Sequence, residues 1–413
     1  MTRTRRTLPR QNVDLTFKYN LAHGRHGWLR LTPAYSVKLV NGILNTSDSG
    51  IAVLDPFSGS GTTPLSAAYR GDTGTGVEIN PFLTWFARVK AAHYGASLLQ
   101  QTRHRVDEID ARLSAGDVTP VERPPIRNVK RWWDDPELAF LCLLKAAIDE
   151  TATESAECKN LLLVGFSRVL IRLSNAAFNH QSMSFKKRDD SQGLLFAHAP
   201  GLFWMFRTEM EFVLASAGDN PPGKAEILLG DSRWISSLVR RKHALLITSP
   251  PYPNRMSYIR ELRPYMYWLG YLTNGREAGE IDWSAIGGTW GIATSRLGEW
   301  ERPENGFWPK YLNKALDDIA KSDNRSGRLL SNYVAKYFYD MWIHLQGIAN
   351  VMAAGGEVHY IVGNSSFYKV LVPVELLFRD MLHEAGFKNA QIAKIRKRGS
   401  KKELYEYDVT AWR

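Results

Sequence analysis

Short apolar runs alternate with helix-like segments in the first hundred residues of the chain. The run at residues 51–54 leads into a glycine-rich turn, and a helical pattern covers residues 64–69 behind it. A second apolar run, at residues 74–77, is followed by a helix-like stretch from residue 81 to about 93. This order of strand, helix, strand and helix predicts a parallel sheet with helices packed on its faces.

The alternation is interrupted twice further along the chain. From about residue 96 to 222 the pattern is helical, with its strongest apolar stretches at 138–148 and 161–173. Strand patterns return at 225–229 and 244–247, before a stretch rich in Trp, Gly and Arg from about 253 to 331. The elements expected after it are a helix over 333–352, a strand over 358–362, a helix over 374–385, and a terminal pair near 391–395 and 404–410. We therefore predict an α/β protein, with one doubly wound domain split by two insertions.

The charge of the chain indicates a polyanionic partner. Its 413 residues include 53 Lys and Arg against 42 Asp and Glu, which gives a formal net charge of +11. Such an excess suits a phosphate backbone, because neutralised charge drives most of the binding to nucleic acids. A basic protein without such a partner is the alternative interpretation.

Cysteine usage and the apolar runs bear on the compartment and on metal binding. Cys142 and Cys158 lie in helix-like stretches and have no metal-ligand spacing, so we expect neither a disulfide framework nor a metal site. No apolar run has membrane-spanning length, and the arginines near the N-terminus are not followed by a signal-peptide core. We expect a cytoplasmic protein.

The glycine-rich turn has the sequence Asp55-Pro56-Phe57-Ser58-Gly59-Ser60-Gly61-Thr62-Thr63. It contains no lysine, as a phosphate-binding P-loop would, and the dinucleotide fingerprint is broken after Gly61. Acidic residues follow three predicted strands, at Asp55, Glu78 and Asp231. A cationic ligand without phosphates suits this site better than NAD or ATP, and S-adenosylmethionine, with its sulfonium and ammonium groups, is such a ligand. A plain glycine turn would explain Gly59 and Gly61, but not the three acids.

A second motif, Thr248-Ser249-Pro250-Pro251-Tyr252, directly follows the apolar run 243–247. Open α/β sheets place their ligand crevice at the carboxyl ends of such strands. Consecutive prolines rigidify the backbone and remove two N–H donors, so that carbonyl groups are left to accept hydrogen bonds. With a hydroxyl before them and an aromatic ring after them, these residues can hold a planar base by its exocyclic amine.

Together, the two motifs resemble those of the DNA amino-methyltransferases, which methylate the exocyclic nitrogens of cytosine or adenine. The resemblance implies the class I methyltransferase fold, with a mostly parallel seven-stranded sheet and a large helical insertion. It implies catalytic roles for Ser249, Pro250, Pro251 and Tyr252. It also implies that S-adenosylmethionine is bound by Asp55, Pro56, Phe57, Ser58, Gly59, Gly61, Thr62, Glu78, Asn80 and Asp231.

The motif variant Ser-Pro-Pro-Tyr is typical of cytosine-N4 enzymes within that family, while Asp-Pro-Pro-Tyr is more typical of adenine-N6 enzymes. By analogy, the Pro250 carbonyl and the Ser249 hydroxyl accept from the amine, and Tyr252 stacks on a base flipped out of the duplex. Methylation at cytosine C5 is disfavoured because it needs a cysteine nucleophile, usually after a proline. Cys142 follows Leu141 and Cys158 follows Glu157.

The resemblance also suggests which parts of the chain meet DNA. Residues 1–95 would form the N-terminal part of the catalytic domain and residues 223–413 its C-terminal part, with an inserted segment at about 253–331. Residues 96–222 would be the candidate DNA-recognition insertion, although the usual insert of the best-fitting motif order follows Gly230-Asp231. Candidate DNA contacts are Lys186, Lys187, Arg188, Arg255 and Tyr258. For Lys186, Lys187 and Arg188 the alternative is a solvated basic loop. For the stretch with Arg255 and Tyr258 it is ion pairing with Glu261.

The sequence thus predicts a site-specific DNA cytosine-N4 methyltransferase, prokaryotic or phage-encoded, in a restriction–modification setting. Double-stranded DNA is the expected partner, and a separate restriction endonuclease acting on the same site would be a second one. Adenine-N6 methylation, RNA guanine-N2 methylation and a DNA-binding protein on an inactive methyltransferase fold are the alternatives. The recognition sequence and the oligomeric state stay open.

Overall fold

The computed structural model describes residues 12–32, 34–152, 154–177, 184–185, 199–254, 257–288, 292–323, 325–398 and 403–413. Within these residues, seven strands form one sheet. They are β1 (Ala52–Asp55), β2 (Thr73–Glu78), β3 (Lys224–Leu229), β4 (His243–Thr248), β5 (Met352–Gly363), β6 (Lys388–Lys397) and β7 (Tyr405–Trp412). Two short antiparallel ribbons, Ala176–Ala177 with Ser184–Phe185 and Ser365–Phe367 with Val370–Val372, lie outside the sheet.

The order of strands across the sheet is β3-β2-β1-β4-β5-β7-β6. Neighbouring strands from β3 to β5 pair in parallel, whereas β7 is antiparallel to both β5 and β6. The predicted α/β fold, with a doubly wound, mostly parallel seven-stranded sheet, is confirmed. This arrangement brings the carboxyl ends of β1, β2, β3 and β4 to one edge of the sheet.

Helices cover both faces of the sheet and form the two interruptions. Those of eight or more residues among the described residues are α1 (Val37–Leu44), α2 (Thr62–Tyr69), α3 (Pro81–Ala91), α4 (Ala96–Ala115), α5 (Asp135–Thr151), α6 (Ala156–Arg172), α7 (Ala199–Ala217), α8 (Tyr258–Trp268), α9 (Gly275–Ser284), α10 (Ile292–Glu299), α11 (Lys310–Lys321), α12 (Gly327–Ala349) and α13 (Val374–Glu384). Helices α4–α7 lie between β2 and β3 in the chain, and α8–α11 lie between β4 and α12. None of the described helices combines the length and the apolar character needed to span a bilayer.

Alternation along β4 shows how the sheet is buried on both faces. Leu245 and Ile247 belong to an apolar cluster with α1, whereas Leu246 belongs to a second cluster with α12 and α13. Side chains of successive strand residues point to opposite faces, so an uninterrupted apolar run is required here. A third cluster joins α3 to the helices of both interruptions.

Local sequence determines where the helices beside the glycine-rich turn begin. Gly61 has φ +76° at the start of α2, and a Cβ at this position would lie 2.9 Å from the Cβ of Ala87. Only glycine therefore lets α2 pack closely on α3. Helix α3 begins at Pro81, and the Asn80 side chain caps it by accepting hydrogen bonds from the N–H groups of Phe82 and Leu83.

Arg25 lies in the interior and clamps the ends of two helices. Its side chain is 0% exposed, and its guanidinium donates hydrogen bonds to oxygen atoms at the ends of α3 and α7 and just beyond them. These acceptors are the carbonyls of Lys90, Ala92, Ser216 and Ala217 and Oδ1 of Asn220. The last carbonyls of a helix have no partner within it, so a cation is a favourable ligand for them.

Arg25→Ala is therefore expected to lower the free energy of unfolding by about 3 kcal/mol, since several buried carbonyls lose their donor together. Urea denaturation measures this change. Arg276→Ala, at an exposed position of α9, is the matched control and should stay within about 0.5 kcal/mol of the parent. Equal stability of the two variants would contradict the clamp.

Candidate active site

A pocket of about 460 Å³ lies at the carboxyl edge of the parallel strands and brings the two sequence motifs together. The turn after β1 forms one part of its wall, and the Ser249–Tyr252 segment after β4 forms another. The residues predicted from the sequence that line it are Pro56, Phe57, Ser58, Gly59, Thr62, Glu78, Asn80, Asp231, Ser249, Pro250, Pro251, Tyr252 and Tyr258. Two motifs separated by nearly two hundred residues thus face one cavity, because β1 and β4 are neighbours in the sheet.

Asp55 and Gly61, which the sequence analysis also assigned to the cofactor, lie behind the pocket wall. Asp55 is fully buried, and its carboxylate accepts hydrogen bonds from Thr248 Oγ1 at 2.6 Å, Tyr35 Oη at 3.0 Å and the Phe57 N–H at 3.1 Å. Burial raises the pKa of this carboxyl. Asp55 therefore ties the glycine-rich turn to the end of β4 and to the segment before β1.

Glu78 lies at the end of β2 and lines the pocket. Its Oε2 accepts from the Gly59 N–H and its Oε1 from the Asn80 N–H, both at 2.8 Å. A carboxylate has about four acceptor positions, so each oxygen can still accept one more hydrogen bond. Burial raises the pKa of Glu78 to about 7 from its ordinary 4.5. This carboxylate has the acceptors needed for a vicinal pair of ribose hydroxyls.

Asp231 differs from the other two acids because a cation compensates it directly. The Arg233 guanidinium contacts its carboxylate at 2.5 Å and also reaches Asp340 at 2.9 Å. The same carboxylate caps the short turn after β3 by accepting from the Arg233 N–H at 2.9 Å. Of the three strand-end acids, only Glu78 both lines the pocket and has no cation at ion-pair distance among the described residues.

The Ser249 hydroxyl is held by the strand next to its own. Its Oγ donates to the Ile361 carbonyl at 3.1 Å and lies 3.3 Å from the Tyr252 hydroxyl. The Tyr252 hydroxyl in turn donates to Glu406 Oε1 at 2.8 Å. Because the proton of Ser249 is directed at protein acceptors, its oxygen keeps lone pairs for a donor in the pocket.

Sequence reasoning missed the residues that β6 and β7 bring to this pocket. Glu406, Arg396 and Arg398 line it, although they lie about 150 residues beyond the Ser-Pro-Pro-Tyr motif. Arg396 pairs with Glu406 at 2.7 Å, and the guanidinium of Arg398 lies 4.6 Å from the centre of the Tyr252 ring. No local sequence motif identifies these residues, because they reach the pocket only through the antiparallel pairing of β7 with β5 and β6. The only sequence feature that could have indicated them is the placement of basic residues in the first strand of the predicted terminal pair and of acidic residues in the second.

The segment ahead of β1 also contributes to the pocket. Tyr35 lines it, as do Asn12, Val13, Thr16, Phe17 and Lys18. The sequence analysis did not assign Asn12, Val13, Thr16, Phe17 or Lys18 to the site.

The remaining predicted contacts divide into two groups. Lys186, Lys187, Arg188 and Arg255 lie outside the described residues. Tyr258 begins α8, and its hydroxyl oxygen accepts from the Tyr252 N–H at 3.2 Å. It therefore supports the backbone of the motif as well as lining the pocket.

The cysteines lie away from the pocket. Cys142 and Cys158 are buried in α5 and α6, and neither lines the pocket. Among the described residues, no group of three or more His, Cys, Asp or Glu side chains is placed to hold a metal ion.

The sequence is similar to that of a known protein along nearly its whole length. No protein-family model matches the chain. The chain is 19% identical over 439 residues to the type II methyltransferase M.BsoBI of Geobacillus stearothermophilus, and the alignment covers 97% of this chain and 86% of that protein.

Two solved structures give only low superposition scores. TrmN from Thermus thermophilus matches with 11% identity and a TM-score of 0.32, over 97% of this chain and 53% of TrmN. The chain thus spans about half the length of TrmN. The rRNA methyltransferase aviRa from Streptomyces viridochromogenes matches with 12% identity and a TM-score of 0.31, over 98% of this chain and 96% of aviRa. At these scores, neither structure bears on the substrate.

The full-length similarity, the fold and the pocket together support a methyltransferase whose methyl donor is S-adenosylmethionine. The residues present fit this donor. The glycine-rich turn offers backbone close to the ligand without a lysine, and Glu78 has free acceptor positions and no cationic partner. The cavity volume also lies within the usual range for small-molecule and cofactor sites.

The raised pKa of Glu78 predicts a pH dependence of S-adenosylmethionine binding. A cationic ligand and ribose donors favour the carboxylate, so binding below pH 7 must remove the proton from Glu78. Affinity is therefore expected to fall as the pH drops below about 7, by up to tenfold per unit, with release of about one proton at a pH near 6. Calorimetry in buffers of different ionisation enthalpy measures the proton release. Glu78→Gln should abolish it, and a pH-independent affinity of the parent protein would contradict the assignment.

Proposed function

We propose that this protein transfers a methyl group from S-adenosylmethionine to the exocyclic N4 amine of a cytosine flipped out of duplex DNA, within a restriction–modification setting. The observation that carries the proposal is the single pocket shared by the glycine-rich turn and the Ser249–Tyr252 segment. A donor methyl bound on one wall would face an amine held on the other. Positioning two reactants in this way supplies a large part of a catalysed rate.

The acceptors of the motif suit an amine that is a poor nucleophile. The lone pair of the cytosine amine is delocalised into the ring, and acceptors for both of its hydrogens would draw the nitrogen toward tetrahedral geometry. The Pro250 carbonyl and Ser249 Oγ are these acceptors in our proposal, since the hydroxyl proton of Ser249 is directed at Ile361 and Tyr252. S-Adenosylmethionine, when bound, supplies an electrophilic methyl group, and no covalent enzyme intermediate is required.

The position of both cysteines supports transfer to nitrogen over transfer to ring carbon. Attack at cytosine C5 needs a thiolate at the base, and neither Cys142 nor Cys158 lines the pocket. Burial also raises the pKa of both thiols, which lowers the fraction of thiolate.

Charge around the pocket supports a polyanionic substrate. The carboxylate of Glu78 lines the pocket and that of Asp55 is buried behind its wall, whereas Lys18, Arg396 and Arg398 stand among the residues that line it. An acidic interior suits the cationic donor, and cations on the lining suit a phosphate backbone. The similarity to a type II methyltransferase over 97% of the chain supports DNA as that polymer.

Mass spectrometry of nucleosides tests the proposal. The purified protein is incubated with S-adenosylmethionine carrying a deuterated methyl group, in parallel with genomic DNA and with total RNA. The expected product is labelled N4-methylcytosine from DNA alone, and Ser249→Ala provides the inactive control. Adenine-N6 methylation is the second candidate, because the same two acceptors could hold the amine of adenine.

Each other outcome contradicts a different part of the proposal. Labelled N6-methyladenine would show that the target base is adenine and not cytosine. Labelled methylguanosine from RNA would show that the substrate is RNA and not DNA. No labelled nucleoside, together with tight binding of S-adenosylmethionine, would indicate a DNA-binding protein on an inactive fold.

A further inference from the structure

The end of β6 and the residue after it carry four cations near the Ser249–Tyr252 segment of the pocket. They are Lys394, Arg396, Lys397 and Arg398. Strand β7 is antiparallel to β5, and Glu406 near its start pairs with Gly363 at the end of β5. Arg396 pairs with Glu406 in turn. The last residues of β6 therefore lie at the same edge of the sheet as the Ser-Pro-Pro-Tyr motif.

These four cations fall into two kinds. Arg396 and Lys397 are paired with the carboxylates of Glu406, at 2.7 Å, and Glu403, at 3.0 Å. Lys394 and Arg398 instead lie over tyrosine rings: the Lys394 ammonium is 4.0 Å from the centre of the Tyr405 ring, and Arg398 is 4.6 Å from that of Tyr252. Stacking on an aromatic ring leaves the charge of the cation in place for another ligand.

Arg398 has donors left over for such a ligand. One of its terminal nitrogens donates to the Asn364 carbonyl at 3.0 Å, and no carboxylate of the described residues lies at ion-pair distance from it. A guanidinium has five N–H donors in a fixed planar fork, so most of them stay available. Arg398 lines the same pocket as Ser249 and Tyr252 and lies over the Tyr252 ring, so a base held there would bring its own sugar and phosphate near Arg398.

We propose that Arg398 binds a backbone phosphate of the nucleic acid at the flipped nucleotide, held in position by the ring of Tyr252. This inference rests on the proposed function, since it takes a nucleic acid as the substrate. It names a contact outside both motifs, provided by the β6–β7 hairpin. Arginine suits this role because its fork matches two phosphate oxygens at once. The stack on Tyr252 also lowers the entropy cost of holding the long side chain ready.

Binding of a duplex as a function of salt concentration tests the proposal. Fluorescence anisotropy with a fluorescein-labelled DNA duplex of about 30 base pairs gives the affinity between about 50 and 200 mM salt. Arg398→Gln removes the charge but keeps a side chain that can cover the Tyr252 ring and donate to Asn364. It is expected to weaken binding about tenfold at low salt and to reduce the slope of log affinity against log salt by about 1. Arg398→Lys should retain the slope while losing part of the affinity.

Lys388→Ala is the matched control, because it removes one exposed cation from the other end of the same strand, about 30 Å away. Its affinity and slope should equal those of the parent. Calorimetry with S-adenosylmethionine and the thermal midpoint should be unchanged in all three variants, which shows that the fold and the donor site are intact.

The possible failures are distinguishable. An unchanged salt slope in Arg398→Gln, with a lowered turnover, would mean that Arg398 only supports the Tyr252 ring, and this overturns the phosphate contact alone. A slope change of equal size in Lys388→Ala would also overturn it, because the effect would then be general. A parent protein that does not bind the duplex at low salt would overturn the proposed function together with this inference.

Discussion

Ser249→Ala is expected to lower the rate of methyl transfer about a hundredfold and to leave the affinity for S-adenosylmethionine unchanged. Loss of one preorganised hydrogen-bonding partner at a reacting group costs roughly 10² to 10³ in rate. The Ser249 Oγ is preorganised in this sense, since the Ile361 carbonyl accepts from it at 3.1 Å. Without it, the target amine would have only the Pro250 carbonyl. Single-turnover methylation measures the rate, and calorimetry measures the donor affinity.

Two further variants separate the hydroxyl from the size of the side chain. Ser249→Thr keeps a hydroxyl at the same position and should retain more activity than Ser249→Ala. Ser237→Ala removes an exposed hydroxyl that donates to the Trp234 carbonyl, outside the pocket lining, and should have the parent rate. Turnover of Ser249→Ala equal to that of the parent would exclude an acceptor role for this oxygen.

Asp55→Ala is expected to weaken S-adenosylmethionine binding about a hundredfold, although Asp55 lies behind the pocket wall. Its carboxylate accepts from Phe57, Thr248 and Tyr35, and so fixes the glycine-rich turn relative to β4. Removing it breaks three buried hydrogen bonds to a charged group, each worth about 1.5–3 kcal/mol in such settings, and part of this loss falls on the ligand-binding geometry. Calorimetry measures the affinity, and urea denaturation measures the accompanying loss of stability.

Asp55→Asn distinguishes the two ways in which this residue could act. The amide keeps one acceptor oxygen and nearly the same shape but has no charge. If Asp55 acts through its hydrogen bonds, the asparagine variant should bind the donor more tightly than the alanine variant. If it acts through its negative charge on a cationic ligand, the two variants should be equally weak. Parent-like affinity in Asp55→Ala would rule out both.

Local pattern predicted the sheet because the central strands are buried on both faces. The run His243–Thr248 has no polar residue between its first and last positions, and such a run is what a strand between two helical layers requires. Boundaries were less accurate where elements extend beyond the apolar pattern. The predicted strand over 358–362 is the C-terminal part of Met352–Gly363, whose early residues include Gly355 and Gly356 and so interrupt the apolar run. The helix predicted from 333 begins at Gly327.

Sequence alone also could not separate residues on the pocket wall from residues behind it. Asp55 and Glu78 both follow a strand and both are acidic, yet only Glu78 lines the pocket. Asp55 is turned into the sheet, where Tyr35 and Thr248 meet its carboxylate. Which way a strand-end side chain turns depends on neighbours that are far away in the chain, and a local motif contains no information about them.

The sequence by itself determined the two motifs, their places at strand ends, and the class of ligand that an acidic, lysine-free turn favours. These features are local, since they depend on residue type, on backbone conformation and on the period of apolar positions. The tertiary structure alone decided that the turn and the Ser-Pro-Pro-Tyr motif share one cavity, and that Glu406, Arg396 and Arg398 also line it. Both results depend on strand order and on the antiparallel direction of β7, which long-range packing establishes and no short stretch of sequence specifies.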